Sequence, residues 1–187
     1  MLEKIRQDEF DQVFSLMERS FPPDEYRSYQ EQKALLLKQN YEIYANKEPL
    51  QKTAFARKSA GQREIRAFLA IWRFSDLTFI EHFAVDPAFR SSGLGSLILT
   101  EVKQLFAHRI CLEVELPENA LAKRRVAFYE RNGFFVNKYP YVQPPISEGK
   151  KEIPLLLMTS QGQVERECFT RIKEQLYREV YGMADVC

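Results

Sequence analysis

The chain has 187 residues, 45% of them hydrophobic and 28% charged. That length and balance suit one compact domain spanning residues 1–187, with a core that needs neither metal nor disulfide, and they exclude a disordered or fibrous chain. Lys and Arg number 27 against 26 for Asp and Glu, a net charge of +1, so no overall charge draws the chain to nucleic acid or to a membrane surface.

Leu2 to Ile5 is apolar enough for a first strand. Asp8 is placed to cap a helix whose Phe10, Val13, Phe14 and Met17 share one face, and Phe21-Pro22-Pro23 ends it. Ser28 and Glu31 form an S-x-x-E capping box for a second helix that runs through Leu37 and stops near Asn40. Tyr41–Ala45 and Thr53–Arg57 both alternate as strands do, and only one of them is expected in the main sheet, which of the two being open; residues 58–62 read as a turn. Two strands follow, Ala67 to Phe74 and Phe79 to Val85, joined at Ser75-Asp76. Leu94, Ile98, Val102 and Leu105 make a helical stripe, Arg109–Glu115 a partly buried strand, and Leu121 to Arg131 a helix with a C-cap at Asn132-Gly133. Phe134–Tyr139 and Ile153–Met158 are the last strands, with Pro140 to Gly149 an extended loop between them. Cys168, Ile172, Leu176 and Val180 predict an amphipathic helix over about 163–181, suited either to covering the fold or to a homodimer contact. The alternation of elements predicts a mixed α/β chain around one sheet.

Cys111, Cys168 and Cys187 stand far apart with no C-x-x-C pair, so neither a zinc site nor a disulfide framework is expected. His82 and His108 cannot make a metal cluster alone, and no metal is expected. The segment MLEKIRQDEF has no signal-peptide apolar run, and no stretch approaches the roughly 20 apolar residues of a membrane span. A reducing, cytoplasmic setting is the expectation.

Chemistry concentrates in Phe83-Ala-Val-Asp-Pro-Ala-Phe-Arg-Ser-Ser-Gly-Leu-Gly-Ser96. A strand ends, the chain turns at Asp86-Pro87, and a loop with the pattern R-x-x-G-x-G (Arg90, Gly93, Gly95) opens directly into a helix. Unpaired N–H groups and the partial positive charge of a helix start bind phosphate, and glycines let a diphosphate approach the backbone. Ser91, Ser92 and Ser96 add short donors. Ile98 stands where a dinucleotide fingerprint needs its third glycine, and the Gly-Lys-Ser/Thr of a P-loop is absent. The bland alternative is a tight strand-to-helix turn. A second feature is Val126-Ala-Phe-Tyr-Glu-Arg-Asn-Gly-Phe134, which on its own reads as a helix C-cap with an aromatic anchor.

Together, FAVDPAFRSSGLGS and AFYERNGF resemble the GNAT superfamily of acetyl-CoA-dependent N-acetyltransferases: the first matches its coenzyme A loop, the second its helix-to-strand signature. The resemblance covers about residues 65–140 by motif and the whole chain by element order. It implies a central mixed sheet with splayed middle strands and helices on both faces. The backbone of Phe83, Ala84 and Val85 would pair with the pantetheine arm, the Val85 amide polarising the thioester carbonyl. The amides of Ser91, Ser92, Gly93, Leu94, Gly95 and Ser96 would hold the diphosphate, with Arg90 bracing the loop. Tyr129 matches the family's tyrosine, a general acid for the departing thiolate that also touches the cofactor. The family's frequent asparagine is replaced by Ala122; Asn119 is a nearby alternative, and Lys123-Arg124-Arg125 could meet the adenosine phosphate or simply be exposed helix charge.

Transfer also needs a base, because a protonated amine has no lone pair. Glu81 is the leading candidate, on an otherwise apolar strand whose alternation would place Glu81, Phe83 and Val85 on one face and His82 on the other. Glu113 and Glu115 compete for the role. The resemblance further implies an acceptor site from residues 20–33, 73–78 and 138–150, which with the adjoining Trp72 offer Phe21, Tyr26, Tyr29, Phe74, Tyr139 and Tyr141 and the acids Asp24, Glu25 and Asp76. The expected partners are acetyl-CoA and an amine acceptor, most simply the primary amine of a small molecule. A peptide or protein amine, or acyl-CoA binding without turnover, are the alternatives.

Overall fold

The computed structural model describes residues 1–49 and 63–183. Its strands are β1 (Leu2–Lys4), β2 (Tyr41–Pro49), β3 (Arg63–Arg73), β4 (Leu77–Val85), β5 (Arg109–Glu115), β6 (Phe134–Val136), β7 (Tyr141–Gln143) and β8 (Ile153–Ser160). Its helices are α1 (Phe10–Ser20), α2 (Tyr29–Ala34), α3 (Leu94–Leu105), α4 (Ala120–Arg131) and α5 (Arg166–Glu179). The sheet runs β1-β2-β3-β4-β5-β8-β6, with β7 also on β8. Among the described residues only β4 with β5 is parallel; the other pairings are antiparallel. The predicted mixed α/β sheet with helices on both faces is what forms.

Strand β3 shows why two cores exist. Phe68, Ala70 and Trp72 point to the face covered by α1 and α5, while Ala67, Leu69 and Ile71 point to the face covered by α3 and α4. That is period-two alternation in a strand buried on both sides. Phe10, Val13, Phe14 and Met17 of α1 join the first core with Phe169, Ile172 and Leu176 of α5. The C-terminal helix therefore covers the fold. Leu94, Ile98 and Val102 of α3 join the second core with Val126 of α4. Leu105, at the last turn of α3, is exposed, and Leu99 is buried in its stead.

Several boundaries differ from expectation for local reasons. The carboxylate of Glu9, rather than Asp8, bonds the chain ahead of α1, accepting Arg6 N–H at 2.8 Å, while Asp8 pairs with the Arg6 side chain. Ser28 and Glu31 do form the capping box: Glu31 Oε2 accepts Ser28 N–H at 2.9 Å. The helix then tightens into a 3-10 turn at Leu35–Leu37. Residues 140–149, expected as loop, contain β7, because buried Tyr141 and Gln143 pair against Leu155 and Ile153 of β8. The expected strand at 53–57 and turn at 58–62 lie outside the described residues.

The largest departure is in β4. Ala70 pairs with His82 but Ile71 pairs with Ile80, so Glu81 is an extra residue, a β-bulge. Side-chain parity reverses across it. Leu77 and Phe79 face the α1 core, whereas Phe83 and Val85 face the α3 core. Glu81 and His82 both turn toward the α1 side, where Arg27 and Phe21 meet them. The expected alignment of Glu81 with Phe83 and Val85, with His82 opposite, is thus corrected by one inserted residue.

Helix α3 sits close to its neighbours because Gly95 lacks a side chain: a Cβ there would lie 3.1 Å from Phe128 and 3.8 Å from Phe83. Gly95→Val is expected to destabilise the fold by about 1–3 kcal/mol in urea unfolding, and Phe128→Leu should restore part of that loss in the double variant.

Candidate active site

Strands β4 and β5 pair only from Leu77–Arg109 to Ile80–Leu112. Past that point β4 follows β3 while β5 follows β8, and a wedge opens between them. Asp86 N–H donates to Arg66 O at 2.8 Å, on the β3 side. Backbone groups alternate along a strand, so those of Val85 and Phe83 point into the wedge. Ala84, between them, turns its groups to β3 and its side chain to the α1 core. Arg90 Nε donates to Val85 O at 3.0 Å, which braces the loop against the end of β4.

That loop begins where Asp86 Oδ1 accepts Ala88 N–H at 2.9 Å and a 3-10 turn spans Pro87–Phe89. Ser91 and Gly93 then adopt φ of +62° and +82°, both left-handed, which aims successive amides to one side. The first helical bond of α3 is Leu97 N–H to Gly93 O at 3.1 Å. Among the described residues no protein acceptor meets the N–H groups of Ser91, Ser92, Gly93, Leu94, Gly95 or Ser96. Ser92 Oγ donates back to Phe89 O. Ser91, Ser92 and Gly93 are exposed, so this cradle of unpaired donors is open to an anion. The two glycines divide the work: Gly93 supplies the backbone conformation, and Gly95 the helix packing rather than room for a ligand.

Tyr129 of α4 is buried against Phe128 and Phe134, and burial pushes its phenol up to about 12. Asn119 is spent as the N-cap of α4, its Oδ1 accepting Ala122 N–H at 2.9 Å. Arg125 pairs with Glu115 at 2.6 Å, and Lys123 and Arg124 are exposed.

The three candidate carboxylates differ sharply. Glu81 is buried, with Arg27 Nη1 2.6 Å from its Oε1, and although burial opposes ionisation the pair holds it down at about 2. His82 Nε2 lies 2.8 Å from the carbonyl of Glu25, an acceptor only, so that nitrogen carries the proton. Its Nδ1 faces Glu81 Oε2 at 3.5 Å, and neither atom has another partner among the described residues. Glu113 is the opposite case: burial lifts it to about 7 despite donation from the hydroxyls of Tyr141 and Tyr181. Glu115 is shared with Arg125 and is partly exposed.

The expected acceptor aromatics scatter. Phe21 packs edge-on to His82 at 4.9 Å and Tyr141 reaches Glu113. Trp72 is fully buried in the α1 core, Tyr29 anchors against Phe10 and Phe14, and Tyr139 stacks on Phe169. Phe74 and Asp76 belong to the turn at the start of β4, about 20 Å along the strand from Phe83, at the end where β4 and β5 are still joined. Arg27 and Tyr181 were not singled out by sequence. Arg27 carries no motif, and Tyr181 lies one step off the apolar stripe of α5, beside Val180.

Residues 52–135 match the sequence profile of the acetyltransferase (GNAT) domain. No curated protein sequence matches the chain. Among solved structures, the chain is similar to a Bacteroides thetaiotaomicron protein named as an acetyltransferase from the GNAT family, at 28% identity and TM-score 0.81 over 98% of this chain and 99% of that one. It shares its fold with a Vibrio cholerae spermidine N-acetyltransferase variant, at 14% identity and TM-score 0.58 over 86% and 94% of the two chains. The same holds for an aminoglycoside 6'-N-acetyltransferase complexed with coenzyme A, at 15% identity and TM-score 0.59 over 86% and 96%. Among the described residues no helix is long and apolar enough to cross a membrane.

The Arg27–Glu81 pair sets a stability prediction. Glu81 is held below its unfolded value of 4.5, so its contribution is present above that pH and is lost as pH falls through about 2. Glu81→Gln leaves Arg27 buried and unpaired, and should lower stability at pH 7 by about 3–5 kcal/mol in urea titration. The gap between variant and parent should narrow as pH drops from 4.5 toward 2.

Proposed function

We propose that the chain, whose residues 52–135 match the acetyltransferase (GNAT) domain and whose fold is that of a GNAT-family protein at 28% identity, is an N-acetyltransferase that moves the acetyl group of acetyl-CoA to the primary amine of a small molecule by direct attack in a ternary complex. The observation that carries this reading is the juxtaposition, at one wedge, of unpaired strand backbone, a cradle of free amides and a carboxyl tuned to neutral pH.

Acetyl-CoA supplies an activated acetyl thioester with a good leaving group. The residues present fit it. The amides of Ser91 to Ser96 suit its diphosphate, and the edge of β4 at Phe83 and Val85 offers hydrogen bonds to the amides of its pantetheine arm. The Val85 N–H, facing the wedge, donates to the thioester oxygen as negative charge builds there.

Glu113 serves as the proton acceptor. A general base works best with a pKa near the working pH, and Glu113 near 7 meets that condition, whereas Glu81 near 2 binds a proton too weakly. Glu81 instead holds Arg27 and, through the bulge, the course of β4. Glu113, directly or through a water, takes a proton from the incoming ammonium, and the neutral nitrogen attacks the thioester carbon. The carbon–sulfur bond then breaks, with the electron pair leaving on sulfur, and the nitrogen releases its excess proton to solvent as the neutral amide forms. Tyr129 donates a hydrogen bond to that sulfur. Its phenol, near 12, keeps its proton across the working range, and full transfer to a thiolate of pKa about 8.5 would be uphill by about 5 kcal/mol. Its role is thus to stabilise the thiolate, with solvent completing the protonation.

Support for an amine comes from the carboxylates on the acceptor side. Glu25, raised by burial, lies within electrostatic reach of Glu115 and His82. Support for a small molecule comes from Tyr141 and Tyr181, whose hydroxyls both bond the Glu113 carboxylate and crowd it with two aromatic rings.

Thiol release from acetyl-CoA, measured across a panel of small primary amines and peptide N-termini, should show turnover with small amines and little with peptides; the reverse pattern selects a protein acceptor. Glu113→Gln should lower kcat about 100-fold or more with the KM for acetyl-CoA nearly unchanged, and should remove an acid limb that in the parent enzyme rises with pH and is half-complete near 7. Tyr129→Phe should lower kcat about tenfold while sparing acetyl-CoA binding.

A further inference from the structure

We propose that Tyr181, presented by the turn that ends α5, is a positioning residue for Glu113, so that the C-terminal helix is part of the catalytic apparatus as well as a cover for the core. The proposal rests on the reading of Glu113 given above. Tyr181 is the residue that reaches both carboxylate oxygens: its hydroxyl lies 2.9 Å from Oε1 and 2.7 Å from Oε2. Tyr141, from β7, donates to Oε1 alone. Tyr181 does not arrive there by chance of rotamer. Val180 and Tyr181 both return their N–H groups to Leu176 O, at 2.9 and 3.2 Å, and Met183 N–H returns to Tyr177 O at 2.9 Å. Gly182, at φ +69°, turns the chain out of the helix in the left-handed conformation that such an ending requires. Arg27 Nη2 donates to Val180 O at 3.0 Å, which ties the same turn to the Arg27–Glu81 pair.

Hydroxyls so placed favour the ionised carboxylate. A carboxylate offers both oxygens as charged acceptors to the phenols, whereas a proton on Glu113 removes that charge and, placed on Oε2, weakens the acceptor that Tyr181 approaches most closely. The same contacts fix the plane of the carboxylate and therefore the direction in which it can take a proton. The other charged or titratable groups that face Glu113 are Glu81 and His82 on β4, with Arg27 offsetting Glu81. Cys111 faces it from β5 itself and Tyr177 from α5. Those groups stay in place when the Tyr181 hydroxyl alone is removed.

The test is Tyr181→Phe, which keeps the ring and deletes the donor. Carboxyl carbon NMR titration of the free protein, with Glu113 identified by the signal that Glu113→Gln removes, should show Glu113 titrating about one unit higher in the variant. The acid limb of kcat/KM should move by the same amount, with the KM for acetyl-CoA unchanged. Tyr141→Phe should move both in the same direction. A Glu113 titration that stays put in Tyr181→Phe overturns the proposal, as does a uniform loss of activity with the limb unmoved and the titration unmoved. A titration that moves while the limb does not would uphold the hold of Tyr181 on Glu113 and reject Glu113 as the base. Should Tyr181→Phe fail to fold, 3-fluorotyrosine at position 181 strengthens the donor and must move the titration downward; no movement there overturns the proposal.

Discussion

Everything in the site depends on the parting of two parallel strands. Pairing between β4 and β5 stops after Ile80 and Leu112, and each strand keeps its other partner. A parted pair leaves a row of backbone donors and acceptors unmatched, which is unfavourable unless water or a ligand meets them. The bulge at Glu81 falls at the point of parting. One inserted residue increases the local twist and bends the strand, steering β4 away from β5, while the ladder with β3 resumes one register on, at His82 opposite Ala70.

The same inserted residue governs the electrostatics. With parity reversed, an acidic and an imidazole side chain enter the α1 side together, and Arg27 meets the acid there. One strand away, Glu113 has no ion-pair partner among the described residues and accepts from two phenols. Two glutamates of one buried layer are thereby driven in opposite directions, one far below its ordinary value and one well above it. A guanidinium at 2.6 Å outweighs burial in the first case; in the second nothing does. The negative charge kept on Glu81 also adds to the difficulty of ionising Glu113, so the pair is coupled through the layer.

Elements governed by local chemistry were legible in the sequence. The Ser28–Glu31 box, the Asn132-Gly133 stop and the loop from Asp86 to Ser96 all appear where the residues place them. Arg90 was expected to brace that loop, and its bond to Val85 O does so. The features that escaped are those decided at a distance. A bulge has no signature in an apolar strand such as Leu77–Val85, so Glu81 and His82 were given opposite faces. Strand β7 is three residues long and exists only through β8. Arg27 and Tyr181 reach the site from segments far away along the chain, and Trp72, an apparent acceptor aromatic, is a core residue. Three carboxylates competed on paper because sequence cannot say which one a guanidinium will meet.

The far edge of the sheet carries a consequence of its own. Strand β8 is flanked on its outer side by two three-residue strands, β6 and β7, rather than by one long one. Between them Asn137 leaves the ladder and fastens the crossing to Leu157 O, Thr159 Oγ1 and Val164 N–H. The opposite margin, β1, is also only three residues long. Among the described residues a foreign strand looking for a template finds only these short strands at the margins, an arrangement that opposes edge-to-edge polymerisation even though the middle strands are among the most apolar stretches of the chain.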